Sequence, residues 1–112
     1  MNAEQEVDKQ WRWLIQDAPV SPEVRALIRA AAEVAPLRRL FPFLSLHRRL
    51  RFSAVTREPY QWHYPYIVHN EGSVYEARAG DGRPLLCADL DQALTTIVRE
   101  LPDPPEEVRT GS

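Results

Sequence analysis

The sequence predicts an α+β domain with an N-terminal helical hairpin, a four-stranded antiparallel meander and a C-terminal helix packed on one sheet face. Two observations lead to this prediction. Apolar residues recur at helical spacing over residues 4–34 and again over residues 89–101. Between these stretches, short alternating runs are separated by turn signals, as in antiparallel strands. We place one domain at residues 1–102 and expect residues 103–112 to form a disordered, acidic, Pro-rich tail.

The helices are defined by their start and stop signals. The apolar face of the first helix, over residues 4–17, comprises Val7, Trp11, Leu14 and Ile15, with Trp13 on its flank. The second helix begins with Ser21 as N-cap and Pro22 in the first turn, and Pro36 is expected to end it. Asp89 or Asp91 caps the last helix. Two consecutive helices joined by a short connection most simply form a hairpin.

The strands follow from period-two alternation. In residues 46–54, one row faces the core and comprises Leu46, Leu50, Phe52 and Ala54, and the other row faces solvent and comprises His47, Arg49, Arg51 and Ser53. Arg48 is an exception on the inward row, and we expect it at the sheet edge. Strands at residues 66–69 and 73–79 flank a turn at residues 70–72, and a second turn at residues 80–82 leads to a strand at residues 84–88. Residues 56–65 are a Pro-bounded loop. Three helices on one sheet face would leave the other face exposed.

Composition restricts the class of protein. The 112-residue chain has a formal net charge of −2, which argues against a general polyanion binder. The single cysteine, Cys87, rules out an internal disulfide and fits a reducing compartment. The acidic N-terminus does not resemble a signal peptide, and no apolar run is long enough to span a bilayer. We therefore expect a cytoplasmic protein that does not bind a membrane.

One segment concentrates the residues suited to molecular contacts. Residues 38–69 hold six arginines against a single acid, Glu58, and seven of the ten aromatic residues. Arginine binds planar anions and aromatic rings give large contact areas. We predict an Arg/aromatic surface that comprises His47, Arg49, Arg51, Tyr60, Trp62, His63 and Tyr64. Two structural explanations compete with it: a cross-strand pair of one arginine with Glu76, and aromatic side chains that cover the core.

No motif of catalysis or metal binding is recognisable. The histidines His47, His63 and His69 lack the short spacing of a zinc site, and Cys87 lies in an apolar run typical of a buried small residue. Residues 80–82 contain too few glycines for a dinucleotide-binding loop and join two strands. We therefore predict no catalytic residue, no metal and no cofactor.

The run LRRLFPFLSLHRRLRFS, followed by a Pro-aromatic loop and by LDQALTTIVRELP, resembles a small actinobacterial family of unknown function whose members are labelled as natural-product biosynthesis proteins. The resemblance spans residues 37–102, and the FPF motif with the LRFS strand carries most of it. It implies a genetic context, an accessory protein encoded near biosynthetic enzymes, and no particular reaction.

Three functional hypotheses follow. The first is a non-catalytic accessory protein of a natural-product pathway that binds a peptide, a carrier-bound intermediate or a partner enzyme through the Arg/aromatic surface. The second is a single-stranded nucleic-acid-binding module, which the net charge disfavours. The third is a small cyclase-like or isomerase-like enzyme with His47 or His63 as general base. The expected partner is a protein or peptide, and an exposed sheet face also permits a homodimer.

Overall fold

The computed structural model describes residues 2–70 and 74–110 and has the expected α+β class. The sheet contains five strands, whereas the sequence predicted four. The elements in chain order are α1 (Ala3–Gln16), α2 (Pro22–Ala32), α3 (Ala35–Arg38), β1 (Phe41–Ser45), β2 (Arg49–Ser53), β3 (Tyr66–Asn70), β4 (Val74–Arg78), β5 (Pro84–Leu85) and α4 (Leu90–Arg99).

The predicted caps are present at two helix starts. The Ser21 hydroxyl accepts a hydrogen bond from the Val24 amide at 3.2 Å, and the Asp89 carboxylate accepts one from the Gln92 amide at 2.8 Å. Each bond satisfies an amide that has no partner within its own helix. Pro36, expected only to end α2, instead occupies the first turn of the short helix α3, where its missing N–H is not needed.

The additional strand is β1, which lies between the predicted second helix and the predicted first strand, where no element was predicted. It pairs antiparallel with β2, so that Phe43 is opposite Arg51 and Ser45 is opposite Arg49. The predicted first strand was therefore wrong at Leu46 and His47, which form the turn between β1 and β2 with φ values of 55° and 61°. Turns with positive φ favour asparagine and glycine, so the leucine and histidine at these positions do not indicate a turn in the sequence.

The sheet is an antiparallel meander in the order β1-β2-β3-β4-β5, which leaves β1 and β5 at its edges. The predicted turn after Asn70 includes residues 71–73, which lie outside the described residues. The turn at residues 80–82 is confirmed: the Gly82 amide donates to the Ala79 carbonyl at 2.8 Å, and Gly82 has a φ of 91°. The last predicted strand is shorter than expected and comprises only Pro84–Leu85.

The core lies between one face of the sheet and the helices. Helix α1 packs on β1, and α4 packs on β3 and β4. Trp11 is fully buried here, with its ring 6.3 Å from that of Phe52 and its indole N–H donating to the Leu40 carbonyl at 3.0 Å. This bond satisfies the one polar atom of a large core side chain. In the part of the chain that the structure describes, no helix is both long and apolar enough to cross a bilayer.

The opposite sheet face is partly covered by residues 55–65. Tyr60, from this loop, stacks on Phe41 and Phe43 of β1, with ring centroids 5.5 Å and 4.6 Å apart. Arg51 and Ser53, which the alternation in β2 directs to this face, are buried under the loop. The expectation that this face is exposed was therefore wrong over β1 and β2.

Candidate functional site

A groove of about 450 Å³ lies along β1, at the edge of the sheet. Phe43 and Leu44 of β1 line it, together with Glu58 from the loop over residues 55–65. Below, this feature is called the edge groove. Its lining comprises Gln10, Trp13, Ala18, Pro19, Val20, Phe43, Leu44, His47, Glu58, Tyr60 and Trp62. Three residues of the predicted Arg/aromatic surface, His47, Tyr60 and Trp62, thus come together here.

The groove has aromatic side chains on both sides. Trp62 and Tyr60 extend from the loop, and Trp13 extends from α1. Trp62 is 53% exposed and Trp13 is 45% exposed, so both present ring surface to solvent. The Trp62 ring meets Phe43 edge-on, with centroids 5.3 Å apart, an arrangement favoured by the ring quadrupoles. The sequence analysis placed Trp13 on a helix flank but missed it as a groove residue.

Arg51 supports this aromatic wall from behind. Its guanidinium lies 4.6 Å from the Trp62 ring centroid and 3.9 Å from that of Tyr66, and it donates to the Trp62 carbonyl at 3.1 Å. Burial lowers the pKa of Arg51 from its ordinary value. Because only 7% of the residue is exposed, the prediction that Arg51 belongs to a contact surface was wrong. Its observed role is to hold Trp62 in place by cation–π contacts.

Arg49 lies on the same sheet face but outside the edge groove. It is half-buried, and its Nε atom has no hydrogen-bond partner among the described residues. Glu76 forms an ion pair with Arg78 at 2.7 Å and accepts a hydrogen bond from the side-chain Nδ2 of Asn70 at 2.9 Å. The expected cross-strand pair between Glu76 and an arginine of β2 was wrong, because β3 lies between β2 and β4.

His63 and Tyr64 contact Glu106 rather than the groove. The Tyr64 hydroxyl donates to one carboxylate oxygen of Glu106 at 2.7 Å, and His63 Nε2 lies 3.2 Å from the same oxygen. Gln61 donates to the other oxygen at 3.4 Å. The Tyr64 hydrogen bond, more than the others, lowers the pKa of Glu106, while burial and this carboxylate raise the pKa of Tyr64. We call Gln61, His63, Tyr64 and Glu106 the carboxylate clamp.

Backbone contacts reinforce the carboxylate clamp. The Arg109 amide donates to the Ala54 carbonyl at 2.8 Å, and the Thr56 amide donates to the Arg109 carbonyl at 3.0 Å. Arg39 donates to the Glu106 carbonyl at 2.8 Å. Residues 103–110, which the sequence analysis assigned to a disordered tail, thus lie beside the loop that carries Tyr60 and Trp62. Acidic, Pro-rich composition gave no signal for Glu106 as a structural residue.

The three histidines lie in three separate environments. His47 lines the edge groove from the β1–β2 turn, His63 belongs to the carboxylate clamp, and His69 packs against Tyr75 with centroids 5.3 Å apart. Over residues 2–70 and 74–110, no group of three His, Cys, Asp or Glu side chains is placed to hold a metal ion. Cys87 is partly buried against the core.

Comparisons with known proteins identify a family. A family model described as a family of unknown function, DUF6193, matches residues 5–112. The match begins within α1 and therefore includes the helices that precede the resemblance found over residues 37–102. No curated protein and no solved structure matches the chain.

Proposed function

The chain belongs to DUF6193, a family of unknown function, and we propose that it is a non-catalytic binding protein that holds a peptide segment in the edge groove. The observation that carries this proposal is the pair of exposed tryptophans, Trp13 and Trp62, on opposite sides of one groove. Exposed aromatic side chains around a concave surface are typical of interaction sites.

The size and lining of the groove support a peptide as ligand. Its volume of about 450 Å³ is within the range of about 300–1,000 Å³ that is usual for ligand sites. Most of the lining is apolar or aromatic, and its polar members are Gln10, His47 and Glu58. Apolar side chains of a peptide would lose water against the rings, and a few polar groups would orient the backbone.

The same residues count against the nucleic-acid alternative. A single-stranded nucleic acid needs arginines beside its stacking platform to neutralise phosphates. Arg51, the arginine nearest to Trp62 in this cluster, is buried behind the ring, and the groove itself contains the acid Glu58. This arrangement favours a peptide over a polyanion.

The biological setting is part of the same proposal. The resemblance to a natural-product family implies an accessory protein encoded near biosynthetic enzymes. The bound peptide would then be a precursor peptide or a segment of a partner enzyme. Binding in an open groove requires no catalytic residue.

The test is a selection of short linear peptides from a random displayed library on the immobilised full chain. Selected peptides are then measured against Trp62→Ala and against Leu86→Ala, a control that removes a fully exposed apolar side chain outside the groove. We expect Trp62→Ala to weaken binding at least about tenfold, as for an interface hot spot, and Leu86→Ala to leave it unchanged. Failure to select any peptide, or equal binding by the two variants, would overturn the proposal.

A parallel titration separates the nucleic-acid alternative. If single-stranded RNA or DNA binds with an affinity that falls steeply with salt, and no peptide is selected, the second hypothesis replaces the first.

A further inference from the structure

We propose that the edge groove takes its ligand as an extended strand that pairs with the outer edge of β1. This inference rests on the proposed function and specifies the conformation of the bound peptide. It follows from the sheet order, from the direction of the backbone groups in β1 and from the position of the groove.

β1 is an edge strand that pairs only with β2 in the described sheet. Phe43 and Leu44 are adjacent residues, so their side chains lie on opposite faces of the sheet. Both nevertheless line the groove, together with Trp62 on one face and Trp13 on the other. The groove therefore straddles the outer edge of β1 and does not lie on either face alone.

The direction of the backbone groups follows from the next ladder. The His69 amide donates to the Arg48 carbonyl at 3.0 Å, which extends the pairing of Arg49 with Val68. Backbone groups alternate in direction along an antiparallel strand, so the even-numbered residues of β2 bond to β3 and the odd-numbered ones bond to β1. The residues of β1 that bond to β2 are therefore the partners of those odd-numbered residues: Phe41, Phe43 and Ser45.

Pro42 and Leu44 consequently direct their backbone groups away from the sheet. Pro42 supports this assignment independently, since proline has no N–H and is tolerated in a strand where that group would face outward. Pro42 itself is buried, whereas Leu44 is partly exposed, so the outer edge offers a ligand the Leu44 carbonyl and the Leu44 amide. Within the described residues, neither of these two groups forms a hydrogen bond with another element.

An extended peptide matches these two groups. One peptide residue, opposite Leu44, would exchange two hydrogen bonds with it. Successive peptide side chains would point alternately toward Trp62 and toward Trp13. A helical ligand uses its own backbone groups and cannot supply these bonds. The preferred ligand is a short extended segment with apolar side chains on both sides.

The test is an N-methyl scan of one peptide selected on the full chain, which changes only the ligand and leaves the protein intact. Methylation of the peptide amide opposite Leu44 should weaken binding about tenfold, while methylation of the amide on either side of it should have no effect. A loss at one position with tolerance at both neighbouring positions supports strand addition. Tolerance at every position, or losses at adjacent positions, would overturn it.

Amide exchange of the full chain gives a second measurement. The Leu44 amide should exchange more slowly when the peptide is added, because it gains a hydrogen bond. Unchanged exchange at Leu44 would contradict strand addition. If binding is sensitive to Trp62→Ala but tolerates every N-methyl group, the proposed function survives and only the strand inference fails.

Discussion

The guanidinium of Arg51 lies behind Trp62, 4.6 Å from the centroid of its ring, and donates a hydrogen bond to its carbonyl at 3.1 Å. An arginine that the sequence places on an exposed row therefore fixes the exposed wall of the edge groove. The charge of Arg51 thus stabilises the packing of the loop. The Trp62 ring, which Arg51 supports, is the group available for ligand contact.

Replacement of Arg51 by alanine should destabilise the loop. The variant loses two cation–π contacts and a hydrogen bond from a buried donor, and we expect the free energy of unfolding to fall by about 2 kcal/mol. Arg48→Ala, which removes an exposed arginine of the adjacent turn, is the matched control and should change it by less than about 0.5 kcal/mol. Chemical denaturation measures both. Equal effects would show that the Arg51 contacts contribute nothing.

Replacement by phenylalanine should affect stability differently at the two tryptophans of α1. Trp11→Phe removes a core hydrogen bond and part of a buried ring, and we expect a loss of about 2–3 kcal/mol in stability. Trp13→Phe, at a half-exposed groove position, should be close to neutral in stability but should weaken peptide binding. A reversed order in thermal or chemical denaturation would contradict the assignment of Trp11 to the core.

Alanine substitutions at the two glycines of the β4–β5 turn, Gly80 and Gly82, should differ in their cost to stability. A Cβ at Gly80 would overlap the backbone carbonyl of His63, so Gly80→Ala forces the loop to move and should cost about 3 kcal/mol. A Cβ at Gly82 would lie 4.0 Å from the Tyr66 hydroxyl, an ordinary contact, so Gly82→Ala costs only the strain of a positive φ, about 1 kcal/mol. Only Gly80→Ala should shift the indole NMR signal of Trp62. A shift of that signal in Gly82→Ala alone would contradict this packing.

The carboxylate clamp should make stability depend on acid pH. The folded state lowers the pKa of Glu106 below its ordinary value of 4.5, chiefly through the Tyr64 hydrogen bond. The stabilisation is therefore complete above that value and is lost as the pH falls through the lower, folded pKa. Glu106→Gln should cost about 1 kcal/mol at neutral pH, and its difference from the wild type should shrink in acid.

Glu107→Gln is the matched control for this measurement. It changes the same charge at the adjacent, exposed position and should leave the pH profile of unfolding unaltered. The comparison also removes the contribution of Glu6, whose pKa is lowered by its hydrogen bond with Thr56 in both variants. Identical profiles for the two variants would show that the clamp contributes no stability.

Local signals in the sequence were sufficient for α1, α2 and α4 and for the turn at residues 80–82, but not for the short helix α3. Ser21 and Asp89 were identified as caps because a side-chain oxygen just before an apolar run of helical period commonly accepts a hydrogen bond from a first-turn amide of the helix. β1 was missed because Pro42 resembles a strand breaker, and only the neighbouring ladder reveals that its missing N–H would face outward. The β1–β2 turn was missed because its positive φ values fall on Leu46 and His47.

The candidate site was predicted in part. Tyr60, Trp62 and His47 were named from the sequence and line the edge groove. Alternation placed Arg51 on the correct sheet face, but it cannot indicate that a loop of distant sequence covers that face. Trp13 lines the edge groove and Glu106 bonds to Tyr64, and both contacts join residues far apart in the sequence, for which a single sequence carries no local signal.

The central claim is that the edge groove is the ligand-binding surface. The most direct measurement is the NMR chemical-shift change of the full chain on titration with a selected peptide. We predict that the largest changes fall on the indole signals of Trp13 and Trp62 and on the Leu44 amide. Changes centred on Arg49 and Arg78, with those three signals unmoved, would contradict the account.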